Sequence, residues 1–76
     1  MNGFNLKLIG ANDDGSRIFA VMTYLGKRLV KGFYDFDKER FIVLEYYKKN
    51  FPIGIGKSKA RNILKELLMI QHDWEM

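Results

Sequence analysis

Between residues 4 and 25 large apolar side chains recur at every second position or in short runs bounded by turn residues. In "FNLKLIGA" (4–11) Phe4, Leu6 and Leu8 fall on one side and Asn5 and Lys7 on the other, the period of a half-buried strand. "NDDGS" (12–16) gathers residues that tolerate left-handed backbone or bond their own main chain, and it reads as a turn. "RIFAVMTYL" (17–25) has the β-branched and aromatic content of a strand. Residues 4–25 therefore predict a β-hairpin. Gly26 and Lys27 offer a second turn, and "KRLVKGFYDF" (27–36) a third strand. In a regular register Leu29 and Phe33 face one way, Val30 and Tyr34 the other, and Gly32 marks a bulge or bend. Connections this short exclude a parallel crossover, so the strands form an antiparallel meander.

"DFDKERFIVLEYYKKN" (35–50) carries two patterns at once. As a helix, Asp37 caps it, Glu39 sits in the first turn, and Lys48 and Lys49 suit its C-terminal end. As a strand, "DKER" is a turn and "RFIVLEYY" supplies β-branched and aromatic residues. Charges matched to both ends tip the expectation toward a helix over 38–49. Pro52 ends whatever precedes it. Past Gly54 and Gly56, residues 57–74 predict an amphipathic helix with Ser58 as its N-cap. Ala60, Ile63, Leu64, Leu67 and Leu68 form its apolar stripe, which Trp74 extends, and Arg61, Asn62, Lys65 and Glu66 lie outward. The expected fold is α+β over a single domain, 1–76. A three-stranded antiparallel β-meander, four-stranded if 38–49 joins it, is followed by a C-terminal amphipathic helix packed on the sheet.

Composition sharpens this only in part. At 14% aromatic, the chain can build its core from a few large side chains, with Phe19, Phe33, Phe36 and Phe41 the expected members. A core of 76 residues is modest, so a partner or a second copy would add stability. No cysteine is present, which excludes disulfides, thiolate catalysis and cysteine zinc sites. No apolar run approaches the ~20 residues of a membrane span. "MNGFNLKLIG" lacks the features of a signal peptide, and a cytoplasmic protein is expected.

Catalysis finds few candidates. His72 stands beside Asp73, but adjacent helix positions point about 100° apart and do not converge. Two serines, Ser16 and Ser58, and one histidine leave a hydrolytic triad or a histidine-held metal without partners. Asp13/Asp14 and Asp35/Asp37 are weak divalent-ion candidates of a kind that usually serve as solvated turn acids. "GIGKS" ends like a phosphate-binding loop, yet that motif needs glycine at 51, where Phe51 stands. Neither an enzyme nor a cofactor is expected.

Charge distribution points to a partner instead. The net charge is +4, and residues 46–65 hold Lys48, Lys49, Lys57, Lys59, Arg61 and Lys65 with no acid among them. An acid-free basic block favours an anionic partner, with nucleic acid first and an acidic protein second. "GIGKSKARNIL" (54–64) resembles the hairpin and second helix of the helix-hairpin-helix family: Gly54, Ile55 and Gly56 match its turn, Ala60 its small packing position, and Ile63 and Leu64 its aliphatics. The resemblance implies that amides at Gly54 and Gly56 contact a phosphate of DNA, rather than RNA. It also implies that Lys57, Lys59 and Arg61 strengthen the contact, with Lys48, Lys49 and Lys65 in support. The family usually has proline directly before its first glycine, where Ile53 stands here, and it requires a helix over 38–49. Tyr34, Tyr46 and Tyr47 are candidate stacking platforms for bases. The expected function is a small non-enzymatic nucleic-acid-binding module with little sequence preference and strong salt dependence. The alternative is a protein-interaction or inhibitor module, a homodimer included, using "LLMI" with Trp74 or the basic surface.

Overall fold

A computed structural model describes residues 3–75, with side chains from Gly3 to Ile70. Four strands, β1 (Phe4–Ala11), β2 (Arg17–Thr23), β3 (Arg28–Asp35) and β4 (Arg40–Tyr46), precede a 3₁₀ turn (Lys48–Asn50) and a helix α1 (Lys57–Glu75). The strands pair antiparallel in sequence order, and α1 packs on one face of the sheet, most closely on β3. The α+β meander with a C-terminal helix is therefore the observed architecture. The side chains of His72, Asp73 and Trp74 lie outside the described set, and with them the expected extension of the apolar stripe to Trp74. Among the described residues no helix is long and apolar enough to cross a membrane.

Each turn follows its chemistry. Gly15 takes φ +91° in the β1–β2 turn, where the Asp14 carboxylate accepts hydrogen bonds from the Ser16 amide at 2.9 Å and the Ser16 hydroxyl at 2.6 Å. These bonds hold the Asp14 carboxyl below the usual carboxylate range. Asp35 does the same work in the β3–β4 turn, accepting from the amides of Asp37 and Lys38 at 3.0 and 3.2 Å. One acid of each pair, Asp14 and Asp35, is thus engaged in closing the backbone.

The expected helix over 38–49 is instead the fourth strand. Glu39 adopts φ +53°, a left-handed conformation that a first helical turn excludes, and Asp37 lies inside a turn that Asp35 organises. From Arg40 the chain pairs with β3 in the register Asp35↔Arg40, Tyr34↔Phe41, Phe33↔Ile42. Phe41, Val43 and Tyr46 turn toward the core, which a strand satisfies with one face while a helix would scatter them. Lys48 and Lys49 fall in the 3₁₀ turn rather than at a helix end. With no helix before Pro52, the helix-hairpin-helix architecture is absent.

The core consists of Phe19, Val21, Leu29, Val30, Ala60, Ile63, Leu64 and Leu68, with Phe4, Leu6, Phe41, Val43 and Tyr46 packed around it. Its register departs from strict alternation at three places. Between β2 and β3 the pairing steps from Val21↔Val30 to Met22↔Arg28, and Leu29 is the unpaired residue. Leu29 and Val30 are consequently both buried rather than on opposite faces. Between β1 and β2 the register slips between Leu8 and Gly10; Leu8, before the slip, keeps the register of Phe4 and Leu6 opposite Phe19 and is nevertheless exposed. Between β3 and β4 it slips at Gly32, as the glycine suggested. A Cβ at Gly32 would overlap the Ile42 carbonyl oxygen and sit 2.9 Å from Leu64 Cδ2. Only glycine lets α1 and β4 approach β3 this closely. Phe36, expected in the core, lies beyond the end of β3 and is exposed.

On the other face Ala20 pairs with both Lys7 and Lys31, and Lys31 forms an ion pair with its register partner Glu45 at 3.5 Å. Ala20 between these lysines has no exposed surface.

Candidate nucleic-acid interface

The segment between β4 and α1 is fixed from both ends. The Tyr47 amide donates to the Leu29 carbonyl at 3.0 Å, and Asn50 Nδ2 donates to the Arg28 carbonyl at 2.7 Å, tying the 3₁₀ turn to the start of β3. The Phe51 ring meets Tyr46 edge-on, with centroids 6.4 Å apart at 80°. A turn then closes with Ile55 N donating to the Pro52 carbonyl at 3.1 Å, Gly54 taking φ +88° inside it. This is the conformational reason for Gly54. Gly56 needs neither a positive φ nor close packing, since a Cβ there would meet nothing within 4 Å. Its carbonyl accepts the first helical hydrogen bond, from Ala60 N at 3.0 Å. The helix therefore begins at Lys57, and Ser58 lies inside its first turn instead of capping it.

This anchoring sets Lys48 beside Lys57. The Lys48 ammonium, through like-charge repulsion, holds the Lys57 ammonium below the ordinary lysine range. Lys57, Arg61 and Lys65 recur every four residues and so form one row along α1. The row lies over β4: Lys57 Nζ is 5.5 Å from the centroid of Tyr46 and Lys65 Nζ is 5.9 Å from that of Phe41. Both distances fall within the roughly 6 Å of a cation–π contact. Because Tyr46 ends β4 and Phe41 nearly begins it, α1 runs opposite to β4 and the cations track the strand. None of Lys48, Lys57, Arg61 or Lys65 forms an ion pair among the described residues.

Between the row and the sheet runs a groove of about 1100 Å³. Phe19, Tyr34, Phe41 and Tyr46 line its floor, Arg61 and Lys65 one wall, and Glu39 and Arg40 its far end. Tyr34 and Phe41, cross-strand partners, meet edge-to-face at 4.9 Å and 67°. Phe36 meets Tyr34 at 4.8 Å and 77°.

Of the residues singled out in sequence, four come together: Lys48, Lys57, Arg61 and Lys65. Lys59 stands about 200° around the helix from Lys57 and belongs to the other flank. Lys49 is exposed on the 3₁₀ turn, and Gly54 and Gly56 form the loop before α1 rather than part of the groove. Tyr34 and Tyr46 line the groove, whereas Tyr47 does not. Sequence reasoning placed Phe41 in the core and missed that it also floors this groove. The four-residue spacing of Lys57, Arg61 and Lys65 was the available signal, but it became useful only with β4 as a strand. At the opposite end of the meander the acids collect: Asp14, Asp35 and Asp37 border one shallow depression. Among the described residues no three acidic or histidine side chains gather to hold a metal. No protein-family model, curated protein or solved structure matches the chain.

Proposed function

We propose that this domain is a non-enzymatic nucleic-acid-binding module that grips phosphates along α1. The observation that carries this reading is the row Lys57–Arg61–Lys65, with Lys48 at its head and, among the described residues, no carboxylate paired to it. Like charges held together raise the local potential, and a phosphate set among them relieves the repulsion that depresses Lys57. Contacts of this kind neutralise phosphates without reading bases, so sequence preference is weak. DNA is the first candidate. Lys49 and Lys59 flank the row and add general positive field near the start of the helix, and the Gly54–Gly56 loop leads into it.

Four cations predict that log affinity falls with log salt at a slope of roughly −4 on duplex DNA and roughly −3 on a single strand. Replacing Lys57, Arg61 and Lys65 together by glutamate should remove binding at low salt, while the exposed positions leave the fold intact. Absence of low-salt binding by the unaltered protein, or indifference to the triple reversal, overturns the reading.

A second reading has an observation of its own. Met69 and Ile70 are about half exposed on α1, at 50% and 51%, and offer an apolar surface to a protein partner or a second copy. Light scattering distinguishes it: a monomer at high concentration removes the homodimer.

A further inference from the structure

Phosphate binding requires only the cations, and the groove adds something else. The rings beneath the cationic row are half-buried and line an open trough instead of being sealed in the core. Tyr34 and Phe41 form one aromatic pair and Tyr46 continues the floor under Lys57. A nucleobase is a flat π surface suited to such a floor, and every base has one, so stacking is tolerant of sequence. Duplex DNA offers phosphates to the cations, but its bases are already paired and stacked, and the rings below would gain nothing. A strand with unpaired bases offers both partners at once. Lys57 to Lys65 spans about 12 Å along the helix, enough for a short run of phosphates on one strand. Glu39 stands at the far end beside Arg40, and the acidic turns border the depression beyond.

We propose that the groove between α1 and β4 takes unpaired bases, so that the nucleic acid bound is a single strand: its phosphates lie on Lys57, Arg61 and Lys65 and its bases against Tyr46, Phe41 and Tyr34. The inference rests on the phosphate-binding reading above and narrows it to one class of ligand.

The experiment compares a short oligothymidylate with a duplex of equal phosphate number, for the unaltered chain and for Tyr34→Leu and Phe41→Leu, with circular dichroism as the check on folding. Leucine keeps the apolar bulk and removes the stacking surface. Oligothymidylate should bind more tightly than duplex, and each leucine variant should weaken it by roughly 5- to 150-fold while duplex affinity stays unchanged. Should Phe41→Leu fail to fold, Tyr34→Leu carries the test. Ultraviolet cross-linking to oligothymidylate should place the adduct in the stretch from Tyr34 to Tyr46. If neither nucleic acid binds, the phosphate reading itself falls. If both bind equally and the leucine variants weaken neither, phosphate binding stands and the base groove is overturned. If the variants alter self-association and leave oligothymidylate affinity unchanged, the occupant is a second copy and the inference is equally overturned. Adducts confined to the opposite sheet face also overturn it.

Discussion

The two halves of α1 meet the sheet on different terms. In the first half Ala60, Ile63 and Leu64 are buried to 0–1% exposure against Val21, Leu29 and Val30, and Gly32 removes the one side chain that would hold the elements apart. In the second half Leu68 is still buried, but Met69 and Ile70 are about half exposed and the groove opens over Phe41 and Tyr34. One helix therefore closes the core with its first half and leaves apolar side chains accessible further along, while the aromatic groove runs beside it from Tyr46 to Phe41. A small domain has few elements to divide between stability and recognition, and here position along a single helix makes the division.

The comparison breaks most severely at Leu64. Leu64→Ala should cost about 2–5 kcal/mol, since the site is fully buried and sits where backbone elements are already in contact. A domain of this size has a total stability of roughly 4–11 kcal/mol, so the loss should be plain in a denaturant titration. Gly32→Ala should act as severely, because the obstructing atom is the Ile42 carbonyl of the backbone, which has no rotamer to move. In the other half, Met69→Ala should cost less than about 1 kcal/mol, half of its surface being in solvent already. Equal losses at Leu64 and Met69 would erase the distinction between the halves.

A smaller effect concerns the head of the cationic row. Lys48→Ala should raise the Lys57 pKa toward 10.5, because the neighbouring ammonium is the main cause of its depression. In the parent chain the folded state holds this proton less tightly than the unfolded state does. The contribution of Lys57 to stability therefore rises with pH between its depressed folded value and 10.5, and is lost as pH falls below that window. Nuclear magnetic resonance titration of the Lys57 side chain, with and without inorganic phosphate, reads both predictions. Phosphate should raise the pKa in the parent chain and move it less in Lys48→Ala.

How much of this was legible in sequence depends on how local the cause is. The β1–β2 hairpin, the bend at Gly32 and the apolar stripe of α1 follow from spacing within a few residues, and each appears where the pattern put it. Residues 38–49 did not, because their end charges fit a helix while their apolar faces fit a strand. The choice came from tertiary pairing, since β3 supplies an open edge that Phe41, Val43 and Tyr46 complete. The interface inherited that ambiguity. With 38–49 as a helix, the basic residues pointed to the glycine loop; with it as a strand, Phe41 and Tyr46 come under Lys65 and Lys57. Phe36 misled because β3 ends one residue before it, and Leu8 because alternation fixes the face of a strand residue but not whether anything covers it.

The mildest substitution distinguishes loop from groove. Gly56 has no positive φ and open space at its Cβ position, so alanine fits without strain. Two small effects then oppose each other. Alanine reduces the freedom of the unfolded chain by about 0.4–1 kcal/mol in favour of folding, and it is a poorer residue than glycine at a helix N-cap by a few tenths to about 1 kcal/mol. The thermal midpoint of Gly56→Ala should therefore stay within a few degrees of the parent. Gly54→Ala, by contrast, forces a Cβ into φ +88° and should cost about 1–2 kcal/mol. Gly56→Ala thus perturbs the loop surface with the fold preserved. If anions sit on the loop amides, the added methyl obstructs them and nucleic-acid affinity should drop. If they sit on the Lys57–Arg61–Lys65 row, affinity should be unchanged, because that row turns away from Gly56 along the helix and over β4.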